Sequence, residues 1–382
     1  MQASSDVSST APLQITRYRG EAVYLYAFDV AYEMARRPVV SLLGQPVAEF
    51  VVDASKRSPK QLFFYRPQMV RLPALERIGP RGPVRVERTV KLLPVGAISI
   101  ACSVPFDVED ARELVEFHDL SFVNASLQDE VRELAEEIRR ELAPYFIRPV
   151  DRLADEEAYT VFCIESPGGD GSVGATFCAE DWLENHRDDV AALLTQEPEP
   201  GLLSRQESQE STARHLSYYR SDLVVVDWDA ALIIDERRNF AESLYLMEIA
   251  NLQLAELEAY DRLLDDSLDR AYRDLRSQSL KSRASVLREL RELRVDLARF
   301  SDELSNITKF FGDWHLARTY QALSARLHLG DWHQSIDKKL QTLDELYGLL
   351  AHDRMNGLML ILEITIVLLF IVDLILIFVH LK

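Results

Sequence analysis

Apolar and polar positions change period several times along the chain, and each change predicts a different element. Between residues 15 and 106 the apolar positions form short runs rich in β-branched and aromatic residues: AVYLYAF (22–28), PVAEFVV (46–52), QLFFYR (61–66), VRVERTVKLL (84–93) and GAISIACSV (96–104). VRVERTV alternates as a half-buried strand does, and GPRGP at 79–83 marks a turn. From residue 107 the spacing lengthens. Asp107 is placed to cap a helix, and Ser126 opens a second whose Leu127, Val131, Leu134, Ile138 and Leu142 recur every three or four residues. A strand (159–166), a Gly-rich loop, a helix (180–194), a polar segment and a last strand (DLVVVDWDAALII, 222–234) complete the region. Strands and helices mixed in this order predict an α+β domain over 15–235. Residues 1–14 are Ser-, Thr- and Ala-rich and are expected to be disordered.

From residue 236 to 356 the period is helical. Leu257, Tyr260, Leu264, Leu268, Ala271 and Leu275 step by three or four. Leu290, Leu293, Leu297, Phe300, Leu304, Ile307 and Phe311 alternate steps of three and four, the a/d seam of a coiled coil. Acids dominate 256–269 and bases 270–299, so two antiparallel helices breaking near 277–282 would bring opposite charges together. GDWH occurs at 312–315 and 330–333. Asp and His without a third ligand do not make a metal site, and the motif reads as Gly ending one helix, Asp capping the next and Trp packed on the bundle.

The last segment, GLMLILEITIVLLFIVDLILIFVHLK, is apolar at nearly every position from 358 to 381. A helix of this length covers a hydrocarbon core of about 30 Å, so the pattern predicts a single C-terminal transmembrane helix over 357–381. With no positively charged, apolar leader at the start, the chain is expected to sit in the inner (cytoplasmic) membrane as a tail-anchored protein with its N-terminus in the cytoplasm. Lys338, Lys339 and Arg354 before the span, against Lys382 after it, agree with that orientation. Glu363 and Asp373 lie inside the span ten residues apart and so can face one side of the helix, as an oligomer seam or as an ion path.

Composition narrows the chemistry. Sixty-two acids against 43 bases give a net charge of −19, which disfavours a general electrostatic grip on nucleic acid. Three cysteines without a CxxC spacing do not make a disulfide framework. Gly169, Gly171 and Gly174 spell GxGxxG after a strand. The next helical pattern starts only at 179–181 and Asp170 would face a phosphate, so a surface loop competes with a nucleotide loop. No other nucleotide, zinc or nucleophile motif occurs. The pattern therefore nominates no catalytic, cofactor-binding or metal residue, and no cofactor.

The helix ESLYLMEIANLQLAELEAYDRLLD (242–265), the strand-end Trp228-Asp229, Leu362-Glu363 with Asp373, and GAISIACSVPFDVED (96–110) together resemble the required-for-meiotic-nuclear-division (Rmd) family. One departure is Ile364, where that family usually has an aromatic residue. The resemblance implies a membrane-anchored, self-associating protein without enzymatic activity. The architecture is also similar to CorA-type magnesium channels, but those have two spans and Gly-Met-Asn, where this chain has Met355-Asn356-Gly357. The expected function is a scaffold or tether. Its partners would be other copies of itself, the lipid bilayer and a cytoplasmic protein. The alternative is a channel or transporter subunit with Glu363 and Asp373 lining the span.

Overall fold

The computed structural model describes residues 17–35, 37–50, 67–79, 82–150, 153–167, 177–277, 294–295 and 314–380. These fall into two units. One comprises Met1–Ala259 with Ser301–Asp331, the other Tyr260–Phe300 with Trp332–Lys382.

The first unit is built on a sheet. Its strands are β1 (Tyr18–Asp29), β2 (Ala31–Met34), β3 (Ser41–Leu42), β4 (Gln45–Pro46), β5 (Ala48–Glu49), β6 (Gln68–Gly79), β7 (Gly82–Leu92) and β8 (Ala97–Val108), followed by β9 (Phe146–Pro149), β10 (Glu157–Glu165), β11 (His215–Leu216), β12 (Leu223–Val226) and β13 (Ala230–Asp235). Among the described residues nine of them make one sheet in the order β11-β12-β13-β10-β1-β8-β7-β6-β5. Every neighbouring pair is antiparallel except β10 and β13. A parallel pair needs a long crossover. Helices α2 (Ala179–Asn185), α3 (Arg187–Leu194) and α4 (Arg205–Ser211) lie within that connection.

The centre of the sheet is covered on both faces, which explains its continuous apolar runs. In β1 every residue from 22 to 28 is buried, although side chains alternate between faces. One face carries Tyr24, Tyr26 and Phe28 with Ile98, Ile100 and Cys102. It packs with the 3₁₀ helix Ala111–Phe117 and with α1 (Leu127–Leu142). Ser126 caps α1 in a reciprocal capping box with Asp129, and the five apolar positions expected to face the core are buried. The 3₁₀ helix is capped by Asp110 rather than Asp107, which instead pairs with Arg17 and Arg19. The other face is covered by α5 (Phe240–Ser277). Asn251 there donates to the backbone oxygens of Leu25 (3.4 Å) and Glu157 (2.9 Å).

Some elements differ from the pattern. The expected strand 222–234 is a hairpin, β12 and β13, interrupted at 227–229. Buried Asp227 turns its carboxylate onto the Trp228 amide (2.8 Å). The helix expected at 180–194 divides at His186, where α2 ends and α3 begins. The expected strand at 61–66, the GxGxxG loop and residues 1–14 lie outside the described residues.

His118 follows the 3₁₀ helix into the core. Its ring is edge-on to Phe162 at 5.6 Å, and its Nε2 is buried without a hydrogen-bond partner. Burial lowers its pKa to about 4, against about 6.5 unfolded. The unfolded chain then binds the extra proton first, so stability falls as pH drops from about 6.5 to 4, by up to about 3 kcal/mol from this group. Urea unfolding across that window should show a shallower loss for His118→Gln than for the unaltered chain. Identical slopes would disprove the assignment.

Candidate functional site

Two features stand out: a buried polar belt on α5 and a bare apolar stretch near the C-terminus. The belt arises because α5 is covered all round. Every residue from 245 to 257 is buried, including Glu248, Asn251, Gln253 and Glu256. A helix turning 100° per residue cannot place thirteen consecutive residues on one face, so its polar positions must find partners inside. Glu248 pairs with Lys91 of β7 and accepts a 2.6 Å hydrogen bond from Ser99 of β8. The Lys91 ammonium lies 4.1 Å from the Phe50 ring centroid and 5.3 Å from that of Tyr245. Gln253 accepts from Tyr320 (2.5 Å) on α6 (Trp314–Arg326). Arg326 of α6 binds the Asp227 carboxylate (Nε to Oδ1, 2.6 Å) and Glu210 (3.3 Å), while Trp228 lies against His328 at 5.5 Å. Burial and the adjacent Asp227 raise the pKa of Asp229. These contacts tie helices to the sheet.

The second unit is helical. Leu264, Ser267 and Ala271 of α5 are buried, as are Ile336, Leu340 and Leu343 of α7 (Leu329–His380). Lys339 of α7 spans Asp261 (2.7 Å) and Asp265 (2.6 Å), one turn apart on α5. Burial lowers the Lys339 pKa, but the hydrogen bonds it donates to the two aspartates, with their negative charges, outweigh it and hold the group above its usual value. Arg294 pairs with Asp344 of α7. The acidic run on α5 thus pairs with a cation of α7, while a cation of the basic run pairs with an acid of α7.

The second GDWH begins inside the first turn of α7. The break before it falls at His328, whose φ is +51°, and not at Gly330. The His328 ring nitrogen bonds Asp331 (2.8 Å). Trp314 of the first GDWH is 83% exposed rather than packed. Among the described residues no group of three or more His, Cys, Asp or Glu is placed to hold a metal.

Further along α7 the packing ends. Twelve large apolar side chains between 359 and 372 are exposed, from Met359 through Phe370 to Val372. Glu363 lies exposed among them, and Thr365 donates to the Ile361 carbonyl (2.8 Å). The expected membrane span requires correction: among the described residues no helix is long and apolar enough to cross a membrane. The expected transmembrane helix, tail anchor and inner-membrane location are therefore not supported. An ion path along Glu363 and Asp373 would require that span. The Asp373 side chain, and the whole seam Leu290, Leu293, Leu297, Phe300, Leu304, Ile307 and Phe311, lie outside the described residues.

A charged cleft escaped sequence reasoning. It has a volume of about 730 Å³ and lies between the β6–β7 hairpin and α1. Arg88 lines it, on the same face of β7 as buried Val86 and Val90. A cation between two core valines was the available signal. The alternation of VRVERTV was read only for its apolar members.

The profile described as "Uncharacterized protein MJ0711, N-terminal domain" matches residues 19–241, more than half of the chain. "Uncharacterized protein MJ0711" of Methanocaldococcus jannaschii is similar, 23% identical over 250 residues, covering 65% of this chain and 73% of the relative. No solved structure matches.

The belt yields a stability prediction. Removing one member of a buried ion pair strands the other charge, at a cost of about 3–5 kcal/mol, whereas replacing both by apolar residues is often close to neutral. Glu248→Leu should therefore destabilise the chain by roughly that amount in urea unfolding, and adding Lys91→Met should recover most of the loss. A double variant no better than the single would contradict the pairing.

Proposed function

The chain belongs to the family defined by the N-terminal domain of uncharacterized protein MJ0711, and we propose that it is a self-associating scaffold whose assembly surface is the apolar helix at 359–372. The observation that carries this reading is the run of twelve exposed large apolar side chains. Fully burying such a side chain contributes roughly 1.5–3 kcal/mol, and each of these forgoes the share that its exposed part represents. A contiguous apolar surface of this kind marks an interaction site. The stretch lies beyond residue 241, where the family match ends.

The partner is a second copy of this chain. Identical helices bring apolar bands of identical length together, and symmetric closure leaves no band uncovered. The apolar residues occupy every side of the helix, so one partner helix covers only part of them and the assembly has more than two copies. Resemblance to the Rmd family carries the same implication. As a scaffold, the assembly presents several α/β units at once and raises avidity without new contacts.

Light scattering on the full chain tests this. The mass should be a discrete multiple of 43.7 kDa greater than two. Ile366→Lys with Phe370→Lys should reduce it to a single chain while the circular dichroism of the folded unit is kept. A single-chain mass for the unaltered protein would overturn the proposal.

A further inference from the structure

The cleft between the β6–β7 hairpin and α1 holds an unmatched donor beside unmatched acceptor capacity. β6 and β7 lose register between Leu72 and Leu75. At that irregularity the Pro73 carbonyl accepts from Arg88 Nη2 (2.9 Å). Arg88 Nε is buried and has no hydrogen-bond partner. Burial lowers the pKa of this guanidinium, although Cys102 and Glu130 act to raise it. Across the cleft Glu130 of α1 accepts from Arg77 Nε through Oε1 (2.6 Å), while its Oε2 is buried and unpartnered. Buried polar atoms of both signs without partners are costly, and here they belong to two side chains that line one cleft, where a ligand of both charges can meet the guanidinium and the carboxylate.

Charge balance decides the class. Four arginines and four glutamates line the cleft. A simple anion would meet as many like charges as opposite ones, and so would a simple cation. A molecule carrying both charges meets a complement at each end. Leu75 and Leu134 supply apolar wall. We propose that this cleft binds a free α-amino acid with an apolar side chain, its carboxylate on Arg88, its ammonium on Glu130 and its side chain along Leu75 and Leu134. The volume lies within the usual range for small-molecule sites. The proposal is independent of self-association through 359–372.

Isothermal titration of the full chain with L-leucine tests it. Saturable binding is expected. 4-Methylpentanoate, which lacks the amine, and 3-methylbutylamine, which lacks the carboxylate, should each bind at least tenfold more weakly. Arg88→Gln and Glu130→Gln should each weaken L-leucine at least tenfold, while Arg140→Gln, on the same cleft but without an orphaned atom, should change it less than twofold. The analogue comparison uses the unaltered protein, so it decides even if Arg88→Gln disturbs the hairpin. Absence of saturable L-leucine binding at millimolar concentration would overturn the proposal, as would equal affinity for either analogue.

Discussion

The first unit depends on the burial of α5 against the sheet. Once residues 245–257 are shut away from water on every side, Glu248, Asn251 and Gln253 cannot be solvated. Each meets a group from another element: Lys91 and Ser99 from β7 and β8, backbone oxygens of β1 and the start of β10, and Tyr320 from α6, which satisfies the Gln253 oxygen while the Gln253 Nε2 stays without a hydrogen-bond partner. An unmatched buried charge costs several kcal/mol, comparable to a large part of the stability of a domain. The match therefore specifies the position of the helix along the sheet more strictly than apolar contact does, because a slide of one residue would separate every pair. Arg326 on Asp227 extends the same logic to the β12–β13 hairpin.

Different surfaces of the protein handle charge in different ways. At Lys339, two aspartates one turn apart hold one ammonium, which leaves the site one negative charge in excess. In the Arg88 cleft, by contrast, four cations and four anions balance in number, yet one donor and one acceptor remain unmatched. The apolar stretch at 359–372 is incomplete in the opposite sense: its polar groups are few and its apolar surface has nothing described against it.

Period and caps made much of the fold legible in advance. Ser126 with the spacing of Leu127 to Leu142 determined α1 and its buried face, because helix geometry and capping act within a few residues of each other. The aromatic and β-branched runs marked β1, β7 and β8 for the same local reason. Membership of one long helix was also legible for α5.

Partners far apart in sequence were decided only by the tertiary structure. Lys91 lies 157 residues from Glu248, and nothing local to either residue names the other. Asp227, at the turn of the hairpin that divides 222–234, meets Arg326 99 residues away, a contact nothing local announces. The span predicted from the apolar C-terminal run was not upheld among the described residues. Arg88 stood in plain view within an alternating strand, but its meaning came from the register break in β6 and from Glu130 across the cleft. Sequence determined which residues are helical, extended or apolar, because those preferences act over one or two turns. Tertiary packing decided which charges are paired and which remain open, because that depends on groups that only folding brings together.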